Sequence, residues 1–190
     1  MSDFSFDSGT KEFLSNPYPV GIFDNNVITN VEVTRPETGS AYIDIFFENL
    51  THGYTTRERI FELGTVPAWS TEEKELVKLK SRIKHIMARF VPEGEQIFEA
   101  HGFADMCEKV KERLDRYAVA AKAPVSIKTE WDKNFQYVNI AKYIPFLAGP
   151  NDKPLAYSET EKKRNFPEDF PVPSTVVGEP ELDDSPKSNF

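Results

Sequence analysis

The order of hydrophobic patterns along the chain constrains its fold more than any other feature. Period-two alternation over residues 20–63 gives way to helical spacing over residues 70–121, and alternation returns over residues 124–144. Side chains alternate across a strand but repeat every 3.6 residues along a helix, so each switch of period marks a change of element type. The chain therefore reads as a strand block, a helical insert and a closing hairpin. A Pro-rich acidic tail follows and ends at Phe190.

The strand block divides at two turn clusters. Val27, Thr29, Val31 and Val33 are expected on one face, with Ile28, Asn30, Glu32 and Thr34 on the other. Arg35-Pro36-Glu37-Thr38-Gly39 supplies turn residues. The next strand sets Ala41, Ile43, Ile45 and Phe47 towards a core, and leaves Tyr42, Asp44, Phe46 and Glu48 on the reverse. That reverse face mixes rings with charge, which a purely solvated surface does not require. The third strand, over residues 54–63, carries Arg57 and Arg59 on one face. Ser70 or Thr71 is then placed to cap a helix whose first turn holds Glu72, Glu73 and Glu75. Leu76, Leu79, Ile83, Ile86 and Phe90 form its apolar stripe, and Lys74, Lys78, Arg82 and Arg89 form a basic row. A solvated helix face is the preferred reading of that row. A second helix begins near Gly102, with Phe103, Met106, Val110, Leu114, Tyr117 and Ala121 on its apolar side. Val125, Ile127 and Thr129 resume alternation, Trp131-Asp132-Lys133-Asn134 reads as a hairpin turn, and Pro145 closes the return strand.

Three strands, two helices and two further strands is the wiring of a five-stranded OB-type barrel, mostly β with a helical insert. The domain is expected over residues 20–148, with the insert at 70–121. An irregular lead-in occupies residues 1–19, and a flexible tail occupies residues 149–190. Six of the 14 prolines lie from Pro154 to Pro186, and such a composition buries too little apolar surface to offset ordering entropy.

Charge and cysteine content bound the setting. The net charge of −8 argues against a nucleic-acid partner, but residues 151–190 hold nine acidic and five basic groups, which is −4 of that total. Local fields rather than net charge decide binding. Cys107 is the single cysteine, so no intrachain disulfide is expected and a cytoplasmic setting is favoured. No signal segment or membrane-spanning run is expected.

Sequence-tolerant binding of a single strand needs rings that stack on bases and cations that follow phosphates. In a barrel, Tyr42 and Phe46 share one strand face, Tyr137 and Tyr143 share another, and Trp131 and Phe135 flank the last hairpin. Arg57, Arg59, Lys128 and Lys133 are the candidate cations. Each of these has a structural alternative: the rings pack under the insert or tail, and the arginines line a solvated strand edge.

Residues 27–63, the helical insert, the hairpin over residues 125–143 and the acidic tail ending in Phe190 together resemble phage-type single-stranded DNA-binding proteins. The resemblance implies a barrel that coats exposed DNA in replication, recombination or repair. It implies stacking roles for Tyr42, Phe46, Trp131, Phe135 and Tyr137. It also implies a tail that competes with DNA and contacts replication proteins through Asp183, Asp184 and Phe190. This chain departs from the pattern in the acidic balance of its barrel half, in Lys187 near the tail tip, and in the length of its insert.

No catalytic, cofactor or metal site is expected. His52, His85 and His101 lack ligand spacing, and there is no phosphate-cradling Gly loop or nucleophile elbow. Two alternatives stay open. One is an interaction adaptor that binds no nucleic acid. The other is a metal-dependent nuclease built from Asp24, Asp44 and Glu48 with Lys128. Membrane partners are not expected, and a homodimer is left open.

Overall fold

The computed structural model describes residues 16–134 and 136–167. Contacts divide the chain after Ala156 into two units. The first contains β1 (Asn16–Pro17), β2 (Ile22–Thr34), β3 (Tyr42–Asn49), β4 (Tyr54–Phe61), α1 (Glu72–Phe90), α2 (Phe103–Leu114), β5 (Val125–Trp131), β6 (Val138–Ile140) and β7 (Leu147–Ala148). The strands run in the order β1-β4-β3-β2-β5-β6, and β7 also pairs with β5. All pairings are antiparallel except the two-residue match of β1 with β4. This is a mostly β architecture with the helices inserted between β4 and β5.

The sheet is open rather than a closed barrel. β4 and β6 approach one another, but among the described residues no ladder joins them. Side chains span the gap instead. Arg82 of α1 donates through Nε and Nη2 to the two carboxylate oxygens of Glu58 on β4, and through Nη1 to the carbonyls of Ala141 (3.1 Å) and Lys142 (2.9 Å), just beyond β6. Its guanidinium also lies 4.1 Å from the ring centroid of the fully buried Phe146. Arg89, about two turns further along the helix, pairs with Asp152 at 3.1 Å and donates to the Leu147 carbonyl. Two members of the basic row are therefore fasteners between helix and sheet, not a wet face.

β2 departs from strict alternation. Its register with β3 shifts between Ile28 and Asn30, a bulge that puts one extra residue on β2. A one-residue shift exchanges the two faces. Ile28 consequently joins Val31 in the core with Val33 packed against it, while the neighbours Thr29 and Asn30 both face outward. A second irregularity, between Phe23 and Asn26, is accommodated by Asn25 at φ 61, a left-handed conformation that Asn tolerates better than most residues. The fully buried Asn26 secures this corner. It donates to the Val125 carbonyl at 3.1 Å and accepts from Asn49 at 2.9 Å and from the Tyr18 hydroxyl.

The core follows from the apolar faces. Ile43, Ile45 and Phe47 of β3 meet Ile83, Ile86 and Met87 of α1 and Cys107, Val110 and Leu114 of α2. Thr71 caps α1 by accepting from the Lys74 amide, ahead of Glu72, Glu73 and Glu75. α2 runs on through a π-helical turn at Asp115–Val119 that buries Ala118. Burial pushes the Cys107 thiol up to about 12, which leaves it protonated and inert at neutral pH.

The second unit holds α3 (Glu159–Asn165). Within the Pro-rich tail expected from residue 149, Glu159–Asn165 is helical. Ser158 and Glu161 form a reciprocal capping box, and Tyr157 meets Phe166 edge-on at 5.4 Å. Among the described residues, no helix is long and apolar enough to cross a membrane.

Candidate functional site

Strand parity assembles one outward face from β2, β3 and β4. Across β3 and β4, Tyr42 lies opposite Phe61, Asp44 opposite Arg59, Phe46 opposite Arg57 and Glu48 opposite Thr55. On the other side of β3, Thr34, Glu32 and Asn30 stand opposite Tyr42, Asp44 and Phe46. Four of the residues singled out from sequence, Tyr42, Phe46, Arg57 and Arg59, are thus brought together. Tyr42 and Phe46 are half-buried.

Asp44 organises the charge on this face. It is buried, and its two oxygens accept from Arg59 Nε at 2.7 Å and Nη2 at 2.6 Å, a fork-to-fork pair. Arg57 reaches the same carboxylate only at 3.6 Å, and its side chain is 51% exposed. Two guanidiniums against one carboxylate leave one positive charge on the β4 side. Glu32 of β2, whose Oε1 accepts from Asn30 at 2.7 Å, lies on the β2 side, and Glu48 lies on the central strand β3. The face is polarised across its width.

Phe61 was not among the sequence candidates, although it continues the parity of Arg57 and Arg59. It is 52% exposed, and its ring lies 5.5 Å from that of Tyr42. Arg59 sits against the same pair, its Cζ 4.2 Å from the Tyr42 centroid and 5.8 Å from that of Phe61. The period-two rule, extended one step to residue 61, identifies it.

The β5–β6 hairpin carries the second group. Trp131 is half-buried at the end of β5, Lys133 is exposed, and Tyr137 is 68% exposed. The loop between them is held by Asp132, whose Oδ1 accepts from the Gln136 amide at 2.7 Å and the Tyr137 amide at 3.1 Å, while its own amide donates to the Tyr137 carbonyl at 2.8 Å. These amides, Tyr137 foremost, hold the Asp132 carboxyl below its ordinary range. Tyr143 lies beyond β6 and is exposed.

Lys128 does not belong to either surface. It is 3% exposed, and its ammonium donates to the Ala156 carbonyl at 3.3 Å. β5 is paired on both edges and buried along most of its length, so a strand position that reads as outward is covered. Phe135, Asp183, Asp184 and Phe190 lie outside the described residues. The acids considered for a nuclease are otherwise engaged or apart: Asp24 accepts from the Ser126 hydroxyl, and Asp44 holds Arg59. Among the described residues, no group of three or more His, Cys, Asp or Glu side chains could hold a metal ion.

His85 has a structural place that its spacing did not reveal. It is buried in α1, and Nε2 accepts from the Phe146 amide at 3.3 Å and the Leu147 amide at 3.2 Å. An acceptor at Nε2 requires the neutral ring. Burial, followed by the positive charges of Arg89 and Arg82, pushes its pKa down to about 4.

No protein-family model matches this chain, and no curated protein is significantly similar to it.

Proposed function

We propose that this protein binds single-stranded DNA without catalysis, on the outward face of β3 and β4 and along the β5–β6 hairpin. The observation that carries the reading is the clustering of Tyr42, Phe61, Arg57 and Arg59 on one exposed face, rings beside guanidiniums on adjacent strands. Base stacking on such rings is sequence-tolerant, and a nearby cation follows the backbone.

The strand connectivity supports a finer fold assignment, an OB-type barrel left open at one seam. β2, β3 and β4 form the meander, β5 pairs back on β2, and β6 pairs with β5 and approaches β4. In such barrels the second and third strands and the loop before the last strand form the oligonucleotide face. Here those are β3, β4 and the loop pinned by Asp132. The phage-type resemblance extends the proposal to coating of exposed DNA, with Asp183, Asp184 and Phe190 as a partner-binding tip.

Fluorescence titration of full-length protein with oligo-dT tests the reading. Tryptophan quenching is expected at low salt. The slope of log K against log salt is expected at about −1.4 or steeper, the value for two neutralised phosphates on a single strand. No binding at low salt rejects the reading. It would leave the adaptor alternative, favoured by a cleft of about 380 Å³ lined by Leu63, Val66, Leu76, Leu79 and Phe103 with Glu62 and Glu72.

A further inference from the structure

We infer that Trp69 stacks on a base beyond the β5–β6 hairpin and that Lys142 takes the adjoining phosphate, so that a bound strand continues past Tyr143 to the start of α1. This rests on the single-strand-binding reading above and lengthens its path. Trp69 lies in the connection between β4 and α1 and is 79% exposed. Tryptophan is highly buried on average, so an indole left this open is informative. The ring is nonetheless held. The Ser70 amide donates to the Pro67 carbonyl at 2.9 Å, which closes a turn around Trp69. The Lys78 ammonium lies 5.5 Å from the ring centroid and is itself fixed by Glu75 Oε1 at 2.6 Å. With so much of the residue in solvent, that single cation leaves most of the ring surface accessible to a base.

A second ring reaches the same place from the sheet. Lys78 and Arg82 are four residues apart and share a face of α1. Arg82 holds the Lys142 carbonyl at 2.9 Å, which brings the segment after β6 beside that face. Hydrogen bonds from Lys78 and Ser70 hold the Glu75 carboxyl below its ordinary range, and Lys142 is close enough to add to the effect. The Lys142 ammonium is also 5.9 Å from the ring centroid of Tyr143, which is 56% exposed. Trp69 and Tyr143 therefore flank neighbouring cations, Lys78 and Lys142. Glu75 neutralises the first, and the exposed Lys142 is the one placed to meet a phosphate. Tyr137 of the hairpin precedes Tyr143 by six residues, a reach of at most about 22 Å. Rings spaced along a track with cations between them suit an unpaired strand of any sequence.

The test compares labelled (dT)n, at the length where wild-type affinity stops rising, with an equal-length oligomer of abasic tetrahydrofuran spacers, which keeps the phosphates and removes the bases. Each is titrated with full-length protein by anisotropy across a salt series. Trp69→Ala is expected to weaken dT binding by roughly 5- to 150-fold, the range for one lost base stack. Its binding to the abasic oligomer and its salt slope are expected to stay as in wild type, which also shows that the variant is folded. Trp69→Phe keeps a ring and is expected to recover most of the lost affinity, while tryptophan quenching by dT shrinks because Trp131 is then the one remaining indole. Lys142→Gln is expected to weaken both oligomers alike and to flatten the slope by about 0.7. Wild-type affinity of Trp69→Ala for dT, or equal losses on both oligomers, would overturn the inference while leaving single-strand binding on the β3–β4 face intact. Failure of the wild-type protein to bind dT at all removes both.

Discussion

Replacing Arg82 with Met is expected to destabilise the protein by about 3–5 kcal/mol, the cost of leaving one member of a buried ion pair without its partner. Glu58 is buried on β4, and among the described residues Arg82 supplies both of its charged hydrogen bonds. The same guanidinium satisfies the Ala141 and Lys142 carbonyls and packs on Phe146. Met fills part of the volume but offers no donor. Urea denaturation should show a lower midpoint with an unchanged slope, the signature of lost stability without altered compactness. Adding Glu58→Gln to Arg82→Met should recover much of the loss, because the uncompensated charge is then gone. A loss below about 1 kcal/mol in the single variant would mean that Glu58 reaches water, as expected for an exposed pair.

Stability is also expected to fall by up to about 3 kcal/mol as pH drops from about 6.5 to about 4, because of His85. The native pKa of this group is depressed from 6.5 to about 4. In that window the unfolded chain binds a proton at His85 and the native protein does not. Acidification therefore favours unfolding, and the contribution present above pH 6.5 is fully lost below pH 4. Burial sets this sign, the positive charges of Arg89 and Arg82 reinforce it, and the Leu147 amide and Asp152 partly offset them. The carboxylates held below their ordinary range, Glu75, Asp105 and Asp132, add acid sensitivity at the lower end of the scale. Denaturation midpoints for His85→Gln at pH 7 and pH 4.5 separate the two. The variant should be weaker than wild type at pH 7 and show a flatter pH profile. An equal slope in both proteins would remove His85 as the cause.

The alternation of β3 and β4 made the outward face legible from sequence, since Tyr42, Phe46, Arg57 and Arg59 follow from parity alone. The element order was legible for the same reason, as the hydrophobic period changes where the structure changes. The bulge in β2 was hidden because Val27 and Ile28 are both apolar, so either alternation satisfies the pattern until β3 fixes the register. Lys128 misled because its burial comes from a segment that reaches β5 from beyond β6. β7 is two residues long and carries no period at all. Arg82 and His85 sit on a helix face whose polarity signals water, whereas their partners are separated from them by 24 to 62 residues. Polar residues that recognise backbone and buried carboxylates leave no local trace.

β2 serves two ladders at once, pairing with β3 along its second half and with β5 along its first. The former closes a loop of residues 35–41 only, whereas the bond from Asn26 to Val125 spans 99 positions. A hairpin zips in roughly 1–10 μs, while distant pairing must first overcome a large closure entropy. The docking of β5 is thus expected to be the late and slow event in acquiring the native state, with the long shared strand as a template that waits for the rest of the polypeptide to arrive.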